Sequence, residues 1–183
     1  MLLLPIYYII SIMESTNKIK KLTIAALLAA LALIFSYIEV LIPFNPGIPG
    51  IKLGIANLVV IIALYYLGIR YALLINIIRI LISGLLFSGV FGALYSLAGA
   101  LLSLLVMVLL KKTGLFSVTG ISMAGGVTHN LGQLLVASFL VSNIKVFVYF
   151  PVLIISGVIS GTVIGILAYL ILRKLPEGRS ALS

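Results

Sequence analysis

The sequence contains no cysteine and no aspartate, and each absence removes a body of chemistry. Without cysteine there is no disulfide framework, no thiol nucleophile and no thiolate metal site. Without aspartate, carboxylate chemistry falls to Glu14, Glu39 and Glu177, and two of these lie near the chain ends. Charge of either sign is scarce. Only 8% of the 183 residues are charged and 63% are hydrophobic, whereas a soluble domain carries about 25% charged residues because its surface must face water. Such a chain cannot cover itself in water, and its length suits one domain of several transmembrane helices. The net charge of +9 does not make a nucleic-acid surface, because the basic residues are scattered between apolar runs, as topology-setting loop charge is.

Runs of about 20 apolar residues predict six helices, over residues 22–42, 53–68, 71–88, 91–110, 117–141 and 147–172. The runs lack the period-two alternation of barrel strands. Short connections around Gly68–Arg70 and at Ser88-Gly89-Val90 predict antiparallel neighbours. The fold class is therefore an all-α integral membrane protein with a six-transmembrane-helix bundle. With the N-terminus inside, the inner segments hold Lys18, Lys20, Lys21, Arg70, Lys111, Lys112, Arg173, Lys174 and Arg179, against Lys52 and Lys145 outside. That bias predicts cytoplasmic N- and C-termini in a prokaryotic plasma membrane. The expected division is an N-terminal extension over 1–17, the membrane domain over 18–175 and a cytoplasmic tail over 176–183. The first twelve residues read either as an interfacial helix or as an upstream extension, since Met13 opens a more usual membrane-protein start.

Polar groups inside a bilayer cost several kcal/mol, about 2.5–3.5 for a charged one, so each needs a reason. The third span carries Asn76, Arg79 and Ser83 on one helical face, with Arg79 near the midplane. The fifth carries Thr128, His129, Asn130 and Gln133, with His129 and Gln133 one turn apart. Glu39 ends the first span, and Lys52 and Asn57 begin the second. Between them IPFNPGIPG, with Asn45 and three prolines, predicts a stiff outer loop. Together these residues outline a polar cavity open to the outside. The alternatives are a structural Arg79–Glu39 pair and plain interhelical hydrogen bonding by the fifth span. A lone histidine is a poor metal site, and no residue pattern implies a cofactor. The cations Lys52 and Arg79, with His129 when protonated, outnumber Glu39 and favour an anionic or zwitterionic small ligand.

Small residues recur at helical spacing. Ala25–Ala29 and Ala26–Ala30 form small-xxx-small pairs in the first span, and Gly157, Gly161 and Gly165 continue such a seam in the sixth. Packing within the monomer is the simpler reading for the sixth, while the alanine face of the first suits an external partner. The glycines of TGLFSVTGISMAGGVTHNLGQ predict a broken or distorted helix beside a binding site.

The series KLTIAALLAALALIFSYIE, PGIPGIKLGIANLV and GGVTHNLGQLLVA resembles the Gx transporter family over about residues 18–175. Its members are often labelled heptaprenyl diphosphate synthase component I, and it is similar to the S component of energy-coupling factor transporters. The resemblance implies a subunit that captures a small molecule from outside, with the outer loop forming part of the site. It also implies docking through Ala25, Ala26, Ala29 and Ala30 on a transmembrane coupling subunit driven by two ATPases. The chain lacks the His-rich N-terminus of the metal-transporting branch and has no Walker motif. The synthase label implies catalysis through magnesium held by aspartates, which this chain cannot supply. An accessory role in isoprenoid synthesis without catalytic activity is the alternative, and a stand-alone secondary transporter a third.

Overall fold

The computed structural model describes residues 3–42 and 54–175, with side chains from residue 16 onward. Asn45, Lys52 and the prolines of the outer segment lie outside the described residues, as does the tail from 176. Among the described residues there are six α-helices and no strand: α1 (Leu3–Leu41), α2 (Ile55–Tyr66), α3 (Ile69–Ser83), α4 (Gly89–Thr113), α5 (Val118–Val141) and α6 (Phe150–Lys174). Each expected span has its helix. α1 exceeds its expectation: it is 39 residues long, about 58 Å at 1.5 Å per residue, and passes the expected boundary at 17/18 without a break.

Three helical stretches, Thr16–Leu41, Ile69–Thr113 and Ile144–Lys174, are long and apolar enough to cross a membrane. α2 is apolar but only 12 residues long, about 18 Å. α5 has the length, but its glycines and the run Thr128–Gln133 dilute its apolar content, and it is not among the three.

α2 is the hub. It is apolar on all sides, as a helix surrounded by others must be, and residues 58–65 are all buried. It packs on α1, α3 and α6 and shares one core with Ala25 and Ala32 of α1, Leu104, Met107 and Val108 of α4, Val118 and Ile121 of α5, and Ala168 and Leu172 of α6. At its C-terminal end the Lys111 ammonium donates to the Leu64 carbonyl at 2.9 Å and lies 4.2 Å from the centre of the Tyr65 ring. That satisfies one of the carbonyls a helix end leaves without a partner.

The glycine-rich stretch does not break α5, contrary to the expectation. The helix runs unbroken from Val118 to Val141, started by Ser117, whose hydroxyl accepts from the Gly120 N–H at 3.2 Å. The glycines serve contact instead. α5 and α6 run antiparallel, with Gly126 against the Gly157 carbonyl, Gly161 against Met123 and Gly165 against Thr119. A Cβ on Gly161 would come within 2.7 Å of the Met123 Cα, and one on Gly165 within 2.6 Å of the Thr119 Cα. On the opposite face, a Cβ on Gly132 would meet the Ala98 carbonyl and the Gly99 Cα of α4 at 2.8 Å. Helices in an apolar solvent associate through such close packing.

The expected turn at Ser88-Gly89-Val90 is a π-helical stretch, Gly84–Ser88, that runs from α3 into α4 and ends at Gly89 with φ +68°. Glycine suits that left-handed backbone. Gly84 lies against Ala93, where a Cβ would come within 2.6 Å of the Ala93 Cβ.

The alanines of α1 divide. Ala25 is 4% exposed and belongs to the core, with Ala29 packed against it, whereas Ala26 and Ala30 are exposed. The four therefore do not form a single docking face. Adjacent i, i+4 pairs are offset by one residue, about 100° around the helix, so one pair enters the bundle and the other faces out.

Candidate functional site

A single cavity gathers the polar residues of the apolar helices. Its water-accessible volume is about 90 Å³, well above the roughly 10–15 Å³ that one water needs. Glu39, Asn57, Arg79, His129, Asn130 and Gln133 all border it. Asn76 does not border it but acts through Arg79, accepting from Nη2 at 2.7 Å.

Arg79 is the most costly of these groups to bury. It is 7% exposed, held from α3 with Asn76 one turn before it and Ser36 of α1 across from it, whose hydroxyl oxygen lies 3.5 Å from Nη1. The field of the Glu39 carboxylate also acts on it. Its Nε has no hydrogen-bond partner among the described residues. The planar guanidinium offers five N–H donors; Ser36 and Asn76 each engage one Nη group.

Glu39 has a second task. Its carboxylate accepts from the Ile55 N–H at the first turn of α2, where the N-terminus carries free N–H groups and partial positive charge. Gly54, with φ +73°, caps that helix without a side chain and lets the chain turn beside the carboxylate. α2 thus begins at the cavity, and Gly54, Ala56 and Asn57 form part of its wall.

From α5, Asn130 donates through Nδ2 to the Leu153 carbonyl of α6 at 2.8 Å. Its amide nitrogen is the interhelical hydrogen bond weighed as the alternative for this cluster. His129 lies between α4 and the cavity; its Cε1 would be 3.1 Å from a Cβ on Gly99. Among the described residues no three His, Cys, Asp or Glu side chains come together.

The residues that sequence reasoning missed are serines other than Ser83, which the sequence places on the Arg79 face. Ser36, Ser83 and Ser88 border the cavity from α1, α3 and the π stretch, and Ser96, Ser103, Ser122 and Ser160 from α4, α5 and α6. Serine in an apolar helix commonly bonds to its own backbone, so it carries little signal by itself. Register supplies the missing signal: Ser96 and Ser103 are seven apart on α4, and Ser122 starts the stripe Gly125, His129, Gln133 on α5.

Among the described residues, helices long and apolar enough to cross a membrane, packed around a polar cavity, place the protein in the class of membrane-embedded helical bundles. Within that class, the chain belongs to the heptaprenyl diphosphate synthase component I family, whose model matches residues 28–171. The matched region takes in the whole described cavity and all of α2 to α5. No curated protein and no solved structure matches the chain.

Proposed function

We propose that this protein is the substrate-binding membrane subunit of a transporter resembling energy-coupling factor systems, with six spans and both termini cytoplasmic. The observation that carries the reading is convergence. Glu39, Asn57, Arg79, His129 and Gln133, from four helices, border one cavity in an otherwise apolar bundle. A buried charge in a bilayer is typically a functional group or is paired by one. A cavity walled by a buried arginine, neutral polar groups and the Glu39 carboxylate, which already accepts from the Ile55 N–H, suits capture of a small zwitterionic or anionic molecule. The exposed pair Ala26 and Ala30, on the outer face of α1, is the part of the alanine stretch available to a coupling subunit.

The family description favours a second reading, a membrane accessory of isoprenoid synthesis without catalytic activity of its own. The lack of aspartate bears on it: a diphosphate clamp through magnesium needs several carboxylates, and Glu39 is the only acidic residue between positions 15 and 176. Mass spectrometry of the detergent-purified native protein separates the two. A retained small molecule lost in Arg79→Gln, with copurifying ATPase subunits, is the expected result. Copurification with a prenyl synthase and no retained small molecule would overturn it.

A further inference from the structure

The ligand class can be narrowed from the hydroxyls in the wall, on the premise that the cavity captures a small molecule. We propose that the cavity takes a compact, non-aromatic, hydroxylated carboxylate, with its carboxylate on Arg79 and its hydroxyls on the serines of α4, α5 and α6.

Two kinds of serine border the cavity. Ser83, Ser88 and Ser160 donate their own protons to helix carbonyls, at 3.2 Å to Ile80, 3.4 Å to Ser83 and 3.5 Å to Gly157. Each therefore keeps acceptor lone pairs for a ligand. Ser103 and Ser122 differ. They are 6% and 5% exposed, border the cavity, and make no side-chain hydrogen bond among the described residues. Hydroxyls of two buried serines that line the cavity leave donor capacity for it, and polar groups inside folded proteins nearly always find partners. The wall therefore presents donors and acceptors side by side. An alcohol is both donor and acceptor, so a hydroxylated ligand answers both kinds of serine, where a carboxylate alone answers only the donors.

Charge and shape restrict the class further. Arg79 provides a cation whose fork matches a carboxylate, and its Nε lacks a partner among the described residues. No Phe, Tyr or Trp is among the described residues bordering the cavity. Flat ring ligands are ordinarily held by stacking on such side chains; here the planar groups able to stack are His129 and Arg79 alone among the described residues, and the rest of the surface is largely serine and glycine, with Val40, Ile61, Met107 and Ile164. The volume of about 90 Å³ suits a molecule the size of glycerate.

The test is calorimetric binding of glycerate, propionate and benzoate to the full chain in detergent. It uses the native protein, Arg79→Lys, and the double variant Ser103→Ala/Ser122→Ala. Helical circular dichroism and melting are followed alongside, so that a misfolded variant is recognised. Glycerate is expected to bind about tenfold or more tightly than propionate, because a site that bonds a hydroxyl rejects the analogue without it. That advantage should vanish in the folded serine variant, while Arg79→Lys weakens both acids. Benzoate binding as well as glycerate, or an unchanged glycerate preference in the serine variant, overturns the proposal. If benzoate wins and its binding still depends on Arg79, small-molecule capture stands and this ligand class falls. If none of the three acids binds and the native protein retains no small molecule, both fall.

Discussion

Toward Gly54, α2 meets a carboxylate and lines open space with its own Asn57; toward Tyr66 it joins Ala25, Val118, Ala168 and Leu172 in a dry core. The same helix thus passes from a wet half of the bundle into a packed one. The packed half has side chains such as Leu172 and Val59 at zero exposure and closes its helix ends with local bonds, as Lys111 does for α2. The wet half contains the buried arginine, the serines and the start of a helix. Apolar side chains gain little from leaving lipid, so stability in a bilayer comes from close packing. The packed half therefore carries the fold, and on the proposed function the half around Arg79 serves ligand capture.

The sharpest way to break that division is to destroy the packing directly. Gly161→Leu places a branched side chain where the Met123 backbone lies, and no folded protein is expected on size-exclusion chromatography; a monodisperse, helical variant would refute the contact. Next in size, Leu172→Ala empties a fully buried site and should lower unfolding free energy by about 2–4 kcal/mol, with ligand affinity unchanged in the folded fraction. Arg79→Met reverses the pattern. Replacing both members of a buried charge pair by groups without charge is often neutral or stabilising, whereas removing one alone costs about 3–5 kcal/mol. Arg79→Met should therefore be paired with Glu39→Gln, and melting of that double variant should hold within about 1 kcal/mol while ligand retention is lost. Equal losses of stability and binding would mean that Arg79 is structural. The smallest effect is expected for Glu39→Gln, which removes a charge from the N-terminus of α2 at a cost of about 1 kcal/mol. It should be visible as faster amide exchange confined to the first turn of α2.

The wet half was more legible in the sequence than the packed half. Arg79, His129, Gln133, Glu39 and Asn57 stand out because a bilayer penalises them, and that penalty can be read residue by residue. The serines other than Ser83 escaped because a hydroxyl bonded to its own helix costs little. The glycines of α5 were misread for a different reason. A glycine that weakens a helix and one that admits a neighbour look alike in one strand of text; only Gly157 facing Gly126, and Gly99 facing Gly132, tell them apart. The alanines failed in the same way, since spacing places Ala25 and Ala26 on adjoining stripes without saying which stripe turns inward. The extent of α1 was hidden by the charged stretch MESTNKIKK, which interrupts an apolar run but not a helix.

Lys111 shows how one side chain can belong to two ledgers. In the tally of loop charges it reads as a topological signal, interchangeable with Lys112 beside it. In the fold its ammonium is bound to the Leu64 carbonyl and sits over Tyr65, so it joins α4 to the end of the central helix. Neighbouring lysines identical in charge therefore have unequal roles, and a charge-swap map of the last turn of α4 is expected to report insertion at Lys112 but assembly at Lys111.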